Sequence, residues 1–134
     1  MNATIRRALT VVTVLIVSAA TAAGQIDERT ETNAREVLQQ YATALASLDA
    51  EAVKKVQPSI DVESLRRALR DMKTLEVVID SIKVLSSDGS AARVSCRVNQ
   101  TLTPKAGSKR STVVTRVVRL RRVNNTWVID SFER

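Results

Sequence analysis

Two carboxylates, a phenol and two guanidinium groups stand within or beside apolar runs of this chain: Asp80 and Asp130, Tyr41, Arg97 and Arg116. A carboxylate enclosed by apolar side chains has a raised pKa and can shuttle a proton, with a tyrosine hydroxyl beside it as hydrogen-bond donor. If the chain is an enzyme, Asp80, Asp130 and Tyr41 are therefore its catalytic set. If it binds a ligand instead, Tyr41, Arg97, Arg116 and Trp127 are the residues to line the site. A plainer reading puts both acids on the outer face of a sheet, each paired with a cross-strand arginine. Strand alternation favours it, because Asp80 shares parity with Glu76 and Asp130 is out of phase with Trp127 and Ile129. The pattern is not clean, since Val78 and Ile82 flank Asp80 and Val128 and Phe132 flank Asp130. The plainer reading is the one preferred, and no residue is assigned to catalysis. The chain has no histidine and one cysteine, Cys96. The commonest general base and metal ligand is thus missing, so neither a metal nor a cofactor is expected.

These side chains need elements to hold them. Ala34, Val37, Leu38, Tyr41, Ala42, Leu45 and Leu48 recur at three and four residues, the period of an amphipathic helix. Asn33 and Glu36 have the spacing of a capping box and predict its start. Asp49 predicts the cap of a short second helix that ends before Pro58, and Asp61 the cap of a third with Val62, Leu65, Ala68, Leu69 and Met72 inward. The period then falls to two. Thr74–Leu85 and Ala91–Thr103 read as strands joined by a turn containing Gly89. Cys96 falls on the apolar face of the second, where a free thiol acts as a small hydrophobe. Ser111–Val123 and Thr126–Phe132 flank Asn124-Asn125, the signature of a tight hairpin. Three helices followed by four strands in meander order predict an α+β domain, its N-terminal helices packed on one face of a curved antiparallel sheet.

Residues 1–24 read as an export signal: Arg6 and Arg7, an apolar run from Ala8 to Ala20, then small residues around Ala22. The run is short against the ~20 residues of a membrane span, so an uncleaved anchor is the lesser reading and the only expected link to a membrane. Residues 25–32 read as a polar tether and 33–134 as the folded domain. Localisation is therefore expected to be periplasmic or secreted. From Ala91 onward ten lysines and arginines face two acids, a bias toward anionic partners. Nucleic acid is not among them, because the chain has only three aromatic residues to stack on bases and no groove-entering element.

Two segments resemble a known family. Tyr41-Ala42-Thr43-Ala44-Leu45-Ala46-Ser47-Leu48-Asp49 closes the long first helix, and Asn125-Thr126-Trp127-Val128-Ile129-Asp130-Ser131 forms the last strand. Together with the element order they resemble the nuclear transport factor 2-like superfamily, also called SnoaL-like or cystatin-like α+β, and within it the small exported bacterial members. The resemblance implies a cone: a sheet wrapped over the first helix, with a cavity at the open end. It implies no single function, because relatives include isomerase-like and dehydratase-like enzymes as well as binding and dimerisation modules. The expectation carried forward is an exported, non-catalytic module. It would bind a small apolar or anionic ligand or an envelope protein, and a homodimer through the sheet is a further expectation. The alternative is a small proton-transfer enzyme.

Overall fold

The computed structural model describes residues 22–134, with side chains from Glu28 onward. The elements run α1 (Ala22–Ala46), α2 (Ala50–Val56), α3 (Val62–Arg70), β1 (Met72–Ser87), β2 (Ala91–Pro104), β3 (Arg110–Val123) and β4 (Thr126–Glu133). All strands are antiparallel in one sheet of order β1-β2-β3-β4, the expected α+β meander.

The helix stripe does what its spacing requires. Ala34, Val37, Leu38 and Ala42 of α1 are buried against Ile79, Val94, Cys96, Val118, Leu120 and Ile129 of the sheet. Each fully buried aliphatic side chain contributes about 1.5–3 kcal/mol, so this layer holds the fold together. A second cluster joins Ala44 and Leu45 of α1 to Val53 of α2, Leu69 of α3 and Leu75 of β1. Asp49 accepts from the Glu51 and Ala52 amides at 3.0 and 3.3 Å, and Asp61 from those of Glu63 and Ser64 at 3.1 and 3.2 Å. Both helices start where these caps predict. Asn124 and Asn125 have φ of 50° and 63°, the left-handed pair of a two-residue hairpin.

One boundary differs. Residues 25–32 are part of α1 rather than a tether, and Asn33 lies inside the helix rather than at its cap. The cause is tertiary. β1 is 16 residues long, and its far end gives the early turns of α1 a surface to pack on. Thr30 is only 5% exposed there, with its hydroxyl 3.4 Å from that of Ser87. The expected export signal falls mostly on residues 1–21, outside the described residues.

Two bulges explain the unclean alternation. On β1, Leu75, Val77 and Ile79 face inward, and so do Ile82 and Val84. The parity changes because the register steps from Asp80↔Arg97 to Lys83↔Ser95, around Ser81 at φ 52°. On β4 the register steps from Leu120↔Ile129 to Arg119↔Ser131, leaving Asp130 as the extra residue. An extra residue bends its strand and adds twist, which is how the sheet curves over α1. Each questioned carboxylate therefore sits at a bulge.

Candidate ligand pocket on the inner sheet face

The concave side of the sheet carries the even-numbered residues of β2 and β3. Ala92, Val94 and Cys96 are buried on β2 and Val118 and Leu120 on β3, so Val98 and Gln100 face the same way, as do Val114 and Arg116. β3 pairs Val98 with Val114 and Cys96 with Arg116. At the end where α1 reaches Tyr41 and Leu45, these side chains and Phe132 enclose a pocket of about 370 Å³, within the usual range for small-ligand sites.

The lining is apolar with a few polar groups. Tyr41 and Phe132 meet with ring centroids 5.5 Å apart and planes tilted by 43°. Burial pushes the Tyr41 phenol pKa up, because the phenolate loses hydration. Tyr41 therefore stays protonated and can donate a hydrogen bond. Arg116 forms no ion pair among the described residues, which leaves its guanidinium available at the pocket rim. Gln100 adds an amide. The arrangement can hold an apolar body inside and a negatively charged group at the edge.

The carboxylates lie elsewhere. Asp80 pairs with Arg97 at 3.2 Å and Asp130 with Arg121 at 3.1 Å, all four side chains about half exposed on the convex face. The conditional catalytic set of Asp80, Asp130 and Tyr41 is thus not assembled, since sheet and core separate both acids from the phenol. Arg97 likewise leaves the ligand set: it stands opposite Asp80 in the register, on the outer face. Trp127 leaves it too, packing beside Asn33, Glu36, Val37 and Gln40 of α1, nearer the start of the helix than Tyr41. Of the four expected ligand residues, Tyr41 and Arg116 are brought together.

Glu133 borders the pocket, but its carboxylate faces outward. Arg93 holds it through two bonds at 2.9 and 2.8 Å and Arg119 through one at 2.8 Å. These bonds bring its pKa down to about 2. Seven pocket residues escaped the reading by residue type: Leu45, Val98, Gln100, Val114, Phe132, Glu133 and Arg134. Gln100 left a signal, being a polar residue in the row Val94, Cys96, Val98, Leu102. A larger open depression of about 890 Å³ lies between α1 and α2 on the outside of the helical layer, lined by Gln39, Gln40, Thr43 and Lys55 together with Ala44, Ala52 and Val56. Among the described residues no group of three acidic or thiol side chains is placed to hold a metal.

By sequence, the chain matches no family model and no curated protein. By structure it is similar to several proteins of one fold. A candidate aromatic ring hydroxylase from Novosphingobium aromaticivorans superposes with a TM-score of 0.69 at 14% identity, over 78% of this chain and 87% of that one. A candidate dehydratase of the nuclear transport factor 2-like family from Streptomyces avermitilis gives 0.66 at 13%, over 79% and 95%. A nuclear transport factor 2-like superfamily protein from Salmonella enterica serovar Typhimurium gives 0.64 at 12%, over 84% and 91%. The chain has the nuclear transport factor 2-like fold. At these identities the likeness establishes the fold and leaves activity to the residues themselves.

Proposed function

We propose that this protein is an exported, non-catalytic binding module whose inner pocket takes a small amphipathic carboxylate. The observation that carries the reading is Arg116, a guanidinium without an ion pair among the described residues, at the rim of a pocket otherwise lined by Tyr41, Leu45, Val98, Gln100, Val114, Phe132, Glu133 and Arg134. An apolar tail fills the interior, the Arg116 fork takes the carboxylate, and the Tyr41 hydroxyl offers a second donor. A proton-transfer reading would need Asp80 or Asp130 in this pocket, and arginines hold both on the opposite face. Export rests on the pattern of residues 1–24. It predicts a mature species lacking about that many residues outside the cytoplasm, and an intact chain retained inside would remove it.

Calorimetric titration with octanoate and with octanol tests the pocket. Octanoate should bind the wild type, and Arg116→Ala should weaken it roughly tenfold, the effect of losing one charge-assisted bond at an exposed rim. Octanol binding should be unchanged in that variant. Equal octanoate affinity in wild type and Arg116→Ala, or no binding to the wild type, would sink the idea.

A further inference from the structure

β4 is much shorter than β3. The β3–β4 ladder ends at Val117↔Glu133, whereas β2 pairs with β3 back to Arg110. The segment Arg110–Arg116 is therefore half a sheet edge: hydrogen-bonded to β2 on one side and, among the described residues, bare on the other. All seven residues are exposed, with Val113 at 55% and Val114 at 40%.

The direction of its backbone groups follows from the register. The Arg122 amide bonds the Ser90 carbonyl at 2.8 Å, on the β2 side. The β2–β3 register is continuous from Arg110 to Arg121, so alternation directs the N–H and C=O of Ser111, Val113 and Thr115 away from β2. These groups form the bare edge. The other edge of the sheet, β1, is broken by the Ser81 bulge, carries Lys73 and Lys83, and has α1 packed along it, which are the usual devices against strand addition. β3 has no bulge in this segment.

We propose that Arg110–Arg116 is a docking edge for an extended, acidic peptide segment of a partner protein, which adds to the sheet as a fifth strand. The charge pattern selects the occupant. Lys109, Arg110 and Arg116 form no ion pair among the described residues. A second copy covering all seven residues antiparallel would set Arg110 against Arg116 at both ends, a like-charge clash. A peptide with carboxylates at those two positions turns both contacts favourable. Its inward side chains would follow the row of Thr112 and Val114 toward the inner pocket, since Val114 and Arg116 line it. Only this anchoring rests on the pocket proposed above; the backbone pairing does not.

The probe is the capped heptapeptide Glu-Thr-Val-Thr-Val-Thr-Glu, which offers apolar groups inward, carboxylates at both ends and the same pattern in either direction. Two control peptides accompany it, one N-methylated at all three threonines and one with lysine replacing glutamate. Binding is read by fluorescence anisotropy alongside octanoate titration. The informative variant is Val113→Pro. It deletes an N–H directed to the bare edge and keeps every bond to β2, a place where a strand tolerates proline.

The parent peptide should bind, both control peptides should bind at least about tenfold more weakly, and Val113→Pro should lose about tenfold toward the parent peptide. Far-UV circular dichroism and octanoate affinity of that variant should match the wild type. Undiminished binding of the N-methylated peptide, or of the parent peptide to Val113→Pro, would overturn strand addition. So would a failure of the parent peptide to bind a protein that still binds octanoate. A dimer in sedimentation that Val113→Pro abolishes would assign the edge to a second copy and also overturn it. Peptide binding that responds to Val113→Pro in a protein that ignores octanoate would uphold the edge and remove the pocket.

Discussion

Replacing Asp130 by asparagine separates a convex-face acid from a pocket acid. Asn keeps the size of the side chain and the backbone carbonyl that accepts from Ser59 at 2.7 Å, so the perturbation is loss of one charge opposite Arg121. At the 3.1 Å separation of the pair, Coulomb attraction is about 1.3 kcal/mol with the dielectric of water and about 5 kcal/mol at an effective value of ~20. Both side chains are nearly half exposed, at 44% and 46%, which places the pair toward the aqueous limit. Ordering two side chains and stripping part of their water offsets most of the remainder, and pairs of this kind measure at about 0.2–1 kcal/mol. Asp130→Asn should therefore cost about 0.5 kcal/mol in urea unfolding. Most of that should vanish in ~1 M salt, where the screening length falls to about 3 Å. Octanoate affinity should not change. A double-mutant cycle with Arg121→Met isolates the pair from other effects of each substitution. A loss above about 2 kcal/mol, insensitivity to salt, or a fall in octanoate binding would refute the placement, since a carboxylate enclosed with its partner behaves in that way.

Two further outcomes follow from contacts elsewhere. The Glu133 pKa falls from 4.5 to about 2 in the fold, so its ion pairs stabilise the protein above pH 4.5 and that contribution is lost as pH drops toward 2. Glu133→Gln should thus be less stable than wild type at pH 7, and the gap in unfolding midpoint should close between pH 4.5 and 2; a gap independent of pH would count against the Arg93 and Arg119 contacts. Thr30→Asp puts an unpaired charge at a site 5% exposed and should cost about 2 kcal/mol, with faster hydrogen exchange in the α1 amides before Asn33; an unaffected protein would restore the tether.

Local chemistry was legible where it acts alone. Asp49 and Asp61 begin helices because a carboxylate satisfies free amides at any helix start, and Asn124-Asn125 turns because both residues tolerate positive φ. Contacts distant in sequence were not legible. Thr30 is helical and buried because Ser87, 57 positions away, lies beside it, and a stretch with Asp27, Glu28 and Glu31 carries no local sign of that surface. Arg116 faces the pocket, yet Val113, Val114, Val117 and Val118 occupy both parities of β3, so composition cannot tell its two sides apart. For Asp80 and Asp130 the preferred outer-face reading rested on alternation that the bulges interrupt. Asp80 lies on the convex face by the alternation of Leu75, Val77 and Ile79, and the bulge after it displaces only Ile82 and Val84; Asp130 lies there for a reason the alternation could not contain, as a residue uncounted by the neighbouring strand.

Those uncounted residues bear on how this domain can change length. In a regular strand, removing one residue moves every later side chain to the opposite face. Ser81 is an exception. Without it Asp80 joins Ile82 directly, Leu75, Val77 and Ile79 still face α1, and Ile82 and Val84 do as well, now in unbroken alternation. Asp130 has the same standing on β4, where its removal would bring Ser131 opposite Arg119 with no step in the ladder. Ser81 and Asp130 are thus two points at which a single codon can be lost without turning the core inside out. What such a deletion removes is bend, so shortening the gene at either point would flatten the wall of the pocket while leaving its lining in place.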